Sequence, residues 1–391
     1  MTITLVLSSP PGYSETFFNS KIKGLQENGH EVILVTASTQ QNYEGCVHLQ
    51  HPQVYCNPVT QVVAMLFKYF SLLPYLKSIF RYIRLEKNQG TCLKRLLEKI
   101  YLNATLLKLK TDWLHFGFAT MALERELVAQ AIGAKMAVSF RGYDIFVYPS
   151  KHLECYLLLW KKMDQVHSLS MALLNRGYEL GLSKETAYKI IPPAVDEDLF
   201  TYKKTITHTN KKLQLLTIAR LHYIKGISTL INTAKLLKDS VIDFEWTIIG
   251  SGCKYNEERY LFQRLQLQLH DHIRFIGKKD HRSTLSYLNK TDFYIQPSLS
   301  EGFCNAVLEA QALGKLCVVS DADGLVENVL HEQTGWVVPK LNPEALAQKI
   351  QDVLLLPKTH KDKITANARQ RVKEEFNLEK QKRMFNEFYE Q

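Results

Sequence analysis

The chain has 391 residues, 46% hydrophobic and 23% charged, with a formal net charge of +10. That length exceeds what one hydrophobic core serves, so two domains are expected, and the proportions are those of an ordinary globular protein. The cationic excess suits nucleic acid, anionic lipid or phosphorylated small molecules; with no paired Cys/His fingers and no aromatic RNP-type strand, no nucleic-acid partner is expected. Cys46, Cys56, Cys92, Cys155, Cys253, Cys304 and Cys317 are scattered without a Cys-x-x-Cys pair. Such a set predicts reduced thiols in a cytoplasmic protein, and neither a zinc site nor a disulfide frame. Met1-Thr2 runs straight into an apolar strand with no basic leader, so no signal peptide is expected.

In chain order, residues 3–7 predict a buried strand, and the loop after it carries Pro10-Pro11-Gly12 and Ser14. A helix over 16–28 ending at Gly29 and a strand over 31–36 complete a βαβ opening, the start of a doubly wound sheet. No G-x-G-x-x-G occurs there, so a dinucleotide cofactor is not expected. Residues 62–109 are helical in pattern, with aromatic and aliphatic side chains interleaved among Lys68, Lys77, Arg81, Arg84 and Lys87. Those cations fall too close together for the roughly 18 apolar residues of a span. Two readings stay open: helices packed on the sheet with a solvated basic rim, broken at Pro74, or peripheral contact with the anionic inner face of the cytoplasmic membrane.

Asp112-Trp113-Leu114-His115-Phe116-Gly117 reads as a strand entering a loop, and residues 135–140 as a strand ending in Arg141-Gly142-Tyr143-Asp144. Further strands are expected over 165–170 and 189–191. The polar stretch 201–212 predicts a linker. A second βα alternation begins at 213–218, and its loop presents Arg220 and Lys225 ahead of a helix starting near Ile227. A guanidinium binds phosphate bidentately and an ammonium adds a point charge, so the pair suits a diphosphate. Strand-end loops with Gly250 and Lys278 follow. Residues 293–296 form another strand, and the loop 298–305 leads into a helix over 306–313 capped by Gly314. Glu301 lies on that loop and Glu309 about two turns into the helix. The loop and the positive end of the helix suit a phosphate, and the carboxylates suit hydroxyls on either side of it. A sugar and a ribose joined by a diphosphate offer such hydroxyls. Read singly, each of these residues is an ordinary solvated charge.

Pro297-Ser298-Leu299-Ser300-Glu301-Gly302-Phe303, Glu309, Gly324, Glu327 and Thr334-Gly335-Trp336-Val337-Val338 together resemble the signature of retaining glycosyltransferases of family 4. Ala219-Arg220 with Lys225-Gly226, His115-Phe116-Gly117, Ser14-Glu15-Thr16-Phe17 and Pro192-Pro193-Ala194-Val195-Asp196 are similar to further elements of that family. The opening elements resemble members that build bacterial surface polysaccharides. Ala219 replaces the usual Gly, and Arg141 stands where many members carry His. An Arg cannot act as a base near neutral pH but can bind a phosphate or a developing charge.

The resemblance implies an α/β protein of GT-B fold, two Rossmann-like domains facing a central cleft: 1–200 on the acceptor side, joined by a crossover helix over 378–391, and 213–377 on the donor side. It implies transfer with retention from a nucleotide-diphosphate sugar, a UDP- or GDP-sugar, to a lipid-linked or growing polysaccharide acceptor. Arg220, Lys225, Glu301, Arg141 and His115 would act in catalysis. Glu309, Gly302, Phe303, Cys304, Asn305, Gly250, Lys278 and Gly12 would bind the donor, and Ser14 and Asp144 would face the acceptor. No cofactor and no metal are expected, and Asp321-Ala322-Asp323 is read as an ordinary loop. The alternatives are a nucleotide-sugar isomerase or epimerase of the same architecture, and an inactive nucleotide-sugar-binding paralogue.

Overall fold

The computed structural model describes residues 1–12, 16–37, 41–196, 199 and 212–390. Ser14 and all but the last residue of the expected 201–212 linker lie outside them. The chain divides into two units, Met1–Ile191 with Lys382–Gln391, and Pro192–Gln381.

Unit 1 holds a seven-stranded parallel sheet among its described residues. Its strands are β1 Thr2–Val6, β2 Glu31–Thr36, β3 Val47–Gln50, β4 Trp113–Phe116, β5 Lys135–Phe140, β6 Gln165–Ser168 and β7 Ala187–Ile190, in the order β3-β2-β1-β4-β5-β6-β7. Helix α1, Thr16–Glu27, crosses from β1 to β2. Between β3 and β4 the chain inserts α2 (Pro58–Phe70), a 3-10 turn at Leu73–Tyr75 around Pro74, α3 (Leu76–Asn88) and α4 (Leu93–Leu102). Helix α3 buries Ile79 and Tyr82, and α4 buries Leu96, Ile100 and Tyr101, so both dock on the domain. Helix α2 buries no residue at all. Of the two carboxylates in that stretch, Glu98 pairs with Arg95 on α4, and Glu86 lies inside, held by Lys99 at 2.9 Å and the Thr91 hydroxyl at 2.7 Å.

Unit 2 holds a six-stranded parallel sheet of β8 Leu213–Ile218, β9 Phe244–Ile249, β10 Ile273–Phe275, β11 Phe293–Gln296, β12 Leu316–Ser320 and β13 Trp336–Val338, ordered β10-β9-β8-β11-β12-β13. Strands covered on both faces read as continuous apolar runs, as in Phe293-Tyr294-Ile295-Gln296, all buried. The polar exceptions are satisfied: the Thr217 hydroxyl donates to Ile295 O at 2.7 Å and accepts from the Trp246 indole at 3.1 Å. The helices that matter for the site are α5 (Ile227–Asp239), α6 (His281–Lys290) and α7 (Asn305–Ala312). The sheet winds outward from β8 in one direction and resumes at β11 in the other. A reversal of strand order leaves a crevice beyond the carboxyl ends of the two strands, here β8 and β11.

The last helix, α8 (Leu378–Tyr389), brings its C-terminal half to unit 1. Phe385, Phe388 and Tyr389 are at most 1% exposed. Burial of side chains that size is worth about 2–3 kcal/mol each, which ties the end of the chain to the sheet that its beginning forms.

Candidate donor site at the reversal of the second sheet

The loops leaving β8 and β11 meet at the reversal. Leu299 N donates to Ile224 O at 2.7 Å, and Gly226, at φ +67°, lies so close that a Cβ there would sit 1.8 Å from Pro297 O. No residue with a side chain fits that contact, so the Lys225-Gly226 pairing has a steric basis. With the loops locked together, the Lys225 ammonium forms an ion pair with a Glu301 carboxylate oxygen. Both side chains are largely buried, 14% and 12% exposed. Ser298 Oγ donates to the same oxygen at 3.2 Å.

The Glu301 backbone is fixed from the loop after β12. Its N–H donates to the Asp323 carboxylate at 3.2 Å, and its carbonyl accepts from Gly324 N at 2.9 Å. A Cβ on Gly324 would stand 2.0 Å from Gly302 O. Asp321 accepts from Lys340 N at 2.8 Å, so each carboxylate of Asp321-Ala322-Asp323 holds a backbone amide.

Glu309, on the fifth residue of α7, is 17% exposed and accepts from His281 Nε2 at 2.9 Å. His281 opens α6, where Asp280 caps the helix by accepting from Ser283 N at 2.9 Å. The hydrogen bond to Glu309 raises the His281 pKa, against a smaller opposing effect of burial. Arg220 follows β8 by two residues and is exposed. Lys278 is exposed on the loop after β10, and Gly250 N donates to Gly277 O at 3.0 Å.

No side-chain hydrogen bond caps the N-terminus of helix α7. Asn305, its first residue, is exposed. Cys304 needs correction as a donor-binding residue: its N–H donates to Asn328 Oδ1 at 2.9 Å, and burial pushes its thiol up to about 12. Phe303 turns inward against Phe376, at 5.5 Å between ring centres, so its side chain is packing and only the backbone of Gly302-Phe303 remains for a ligand.

The unit 1 candidates are differently placed. Gly12 is exposed on the loop after β1, with its carbonyl accepting from Asn19 at 2.9 Å. His115 is 1% exposed, inside the sheet. Its Nε2 contacts Ser139 Oγ at 2.8 Å, that hydroxyl contacts His167 Nδ1 at 2.8 Å, and His167 Nε2 reaches Ile191 O at 3.0 Å. A carbonyl only accepts, which fixes the direction: His167 Nε2 donates to Ile191 O, Ser139 donates to His167, and His115 Nε2 donates to Ser139. His115 Nδ1 is then an acceptor, facing the Tyr389 hydroxyl at 2.5 Å and the Lys21 amine at 3.2 Å. Burial depresses both histidines and Lys21, and the charge of Arg141 adds to the effect on each. His115 thus has both ring nitrogens engaged in a buried chain that anchors α8.

Asp144 also departs from its expected acceptor contact. It is 1% exposed, and its carboxylate accepts from the amides of Ala119 at 3.0 Å, Gly142 at 2.9 Å and Arg141 at 3.2 Å, so it fastens the loops after β4 and β5 together. Arg141 lies between the rings of Phe17 and Phe18, 4.2 Å from each centre. Sequence reasoning missed His281, Asn328 and Asp323. Each acts through a partner distant in sequence, Glu309 for His281, Cys304 for Asn328 and Glu301 for Asp323, and so left no local signal.

Residues 200–371 match the model of glycosyl transferases group 1. WcaL of Salmonella typhimurium, a protein named as a colanic acid biosynthesis glycosyltransferase, is 28% identical over 273 residues, 67% of this chain and 66% of WcaL. The amylovoran biosynthesis glycosyltransferase AmsK of Erwinia amylovora is 26% identical over 242 residues, 60% of this chain and 58% of AmsK. The chain thus spans less than two thirds of either relative. Among solved structures, Anabaena Alr3699/HepE in complex with UDP and glucose superposes with a TM-score of 0.71 at 14% identity, over 99% of this chain and 98% of that one. The fold is GT-B.

Proposed function

With residues 200–371 a glycosyl transferases group 1 domain in a chain of GT-B fold, we propose that the protein is a retaining glycosyltransferase of bacterial polysaccharide biosynthesis. It moves a sugar from a UDP- or GDP-sugar to a lipid-linked or growing polysaccharide acceptor on the cytoplasmic side of the membrane, without a metal ion. The observation that carries this reading is the Lys225–Glu301 pair at the reversal of the second sheet, beside an uncapped helix N-terminus.

In the reaction, the bond from the anomeric carbon to the diphosphate oxygen breaks, the acceptor hydroxyl oxygen takes its place, and the proton of that hydroxyl passes to the departing diphosphate. Negative charge develops on the departing diphosphate. Arg220 and Lys225 neutralise it, and the backbone donors at the start of α7 add to that stabilisation. When the diphosphate engages Lys225, Glu301 is released to accept hydroxyls of the sugar. Glu309, oriented by His281, accepts hydroxyls of the ribose.

Nucleoside diphosphate titration into the wild type and the R220A and E309A variants tests the assignment. A charge-assisted hydrogen bond contributes about 1.5–3 kcal/mol, so each variant should bind about 10- to 100-fold more weakly. Affinities equal to wild type in both variants sink the donor-site reading. Product anomers, read by NMR, check retention.

A further inference from the structure

Helix α2 is a 13-residue helix with no buried residue. Val59, Phe67 and Phe70 are each more than 70% exposed, and the apolar surface continues through Leu73, Phe80 and Leu93. A folded domain that buries residues of α3 and α4 has left this apolar helix facing outward. Exposed apolar surface on that scale marks an interaction site.

Along α2 and α3 the exposed charge has one sign; Glu98 of α4, beside Tyr69, is paired with Arg95. Between residues 58 and 91 the cations are Lys68, Lys77, Arg81, Arg84 and Lys87, and the only acid, Glu86, is buried on Lys99. At the foot of α2 a groove of about 370 Å³ is lined by Phe67, Lys68, Ser71, Tyr101 and Lys108 among others, with no carboxylate in its wall. Lys108 Nζ donates to Ser71 Oγ at 2.7 Å, and burial and then the neighbouring Lys68 charge lower the Lys108 pKa. Two ammonium groups in one groove without a counter-ion suit a phosphate.

Geometry decides between spanning and lying flat. At 1.5 Å per residue α2 is about 20 Å long, short of the roughly 30 Å hydrocarbon core, and it meets the following helical segment at a 52° bend. Among the described residues no single helix is long and apolar enough to cross. An amphipathic helix with a cationic border lies in the plane of the interface. A second copy of the chain is the poorer occupant, because a self-complementary contact through this face would bring like cations together.

We infer that α2 and the turn at Pro74 form a docking surface for an anionic phospholipid bilayer, with Phe67 and Phe70 in the acyl boundary and Lys68 and Lys108 on a lipid phosphate. The surface lies in unit 1 and uses none of the donor-site residues, so its failure and that of the donor reading are distinguishable.

The test is co-sedimentation of the full chain with phosphatidylcholine vesicles, with and without phosphatidylglycerol, at low and at high salt. Binding should require phosphatidylglycerol and weaken as salt rises. Each surface cation contributes about fivefold in affinity, so K68Q/K108Q should bind the anionic vesicles about 30-fold more weakly. F67S/F70S should abolish binding while nucleoside diphosphate affinity stays at the wild-type value, and an unchanged circular dichroism spectrum and melting curve report that the variant is folded. Failure of wild type to bind phosphatidylglycerol vesicles at low salt overturns the inference, as does undiminished binding by F67S/F70S. Concentration-dependent dimerisation that F67S/F70S removes, without vesicle binding, also overturns it and assigns the face to a second copy.

Discussion

Substituting Gly324 by Ala probes whether the position of the Glu301 loop governs donor binding. Gly324 has φ −71° and ψ −6°, a conformation Ala adopts freely, so the backbone itself is not strained. The effect is a collision: the new Cβ would lie 2.0 Å from Gly302 O and 3.1 Å from Glu301 O. Cβ contacts essentially never fall below 3.0 Å, so the Gly302 carbonyl must retreat by about 1 Å, the difference between 3.0 and 2.0 Å. That movement pulls on the Gly324 N–Glu301 O hydrogen bond and displaces the carboxylate paired with Lys225.

A misplacement of about 1 Å costs on the order of 100-fold in turnover, and loss of one charge-assisted hydrogen bond weakens binding about 10-fold or more. Calorimetric titration of nucleoside diphosphate should therefore show at least about a tenfold rise in Kd. Overpacking also destabilises by about 1–3 kcal/mol, so a second variant must carry a similar stability loss without touching the loop. Gly314 supplies it. At φ +67° with nothing within 4 Å of its Cβ position, G314A suffers only left-handed backbone strain of about 1–2 kcal/mol. G314A should melt lower yet bind as the wild type does. Equal affinities for G324A, G314A and wild type would refute the reasoning.

Two titratable groups give further predictions. Glu309 raises the pKa of His281, so their interaction stabilises unit 2 fully below about pH 6.5 and fades as pH climbs through the elevated folded value. Since His281 is more than a third exposed, the pair is worth only about 0.2–1 kcal/mol, and H281N should lower Tm by about 1–3 °C in acid and by less in alkaline solution. A Tm difference that grows with pH would contradict this. Lys21 carries the opposite sign: burial depresses its pKa, so below the unfolded value near 10.5 the amine must lose a proton on folding, a cost that grows as pH falls. K21M removes the cost and should raise Tm at neutral pH, with the gain shrinking as pH approaches 10.5. A gain that is constant with pH would mean that Lys21 does not release a proton.

How far the sequence discloses these features depends on whether a residue's environment is local. Strands over 31–36, 135–140, 213–218 and 293–296 have the bounds that their apolar runs predict, because burial on both faces leaves an uninterrupted signal. Val47-His48-Leu49-Gln50, half exposed at the sheet edge, carries no such run and is invisible as β3. Helix α1 reads as amphipathic, yet Lys21 counts as a polar residue in that pattern while its amine lies 1% exposed over the Phe385 ring, 364 residues along the chain. Residues 62–109 read as one helical, basic and aromatic region; only the packing separates α3 and α4, which dock, from α2, which does not. The motif residues Arg220, Lys225, Glu301 and Glu309 were legible, whereas His281 was not, since its meaning lies in a carboxylate 28 residues away.

The pairing of Lys225 with Glu301 links the two kinds of information. Sequence assigns the first to phosphate and the second to sugar; the structure puts them in contact, 76 residues apart along the chain. A largely buried ammonium needs a counter-charge before any ligand arrives, and a largely buried carboxylate needs one equally. Exchange of the carboxylate for a diphosphate oxygen keeps the ammonium paired throughout, and the released carboxylate finds its hydrogen bonds on sugar hydroxyls. E301Q therefore differs in kind from R220A: it leaves Lys225 with a weaker partner in the empty site, so nucleoside diphosphate alone should bind at least as tightly as to wild type, while transfer of the sugar falls. Weaker diphosphate binding by E301Q would show that the carboxylate supports Lys225 instead of competing for it.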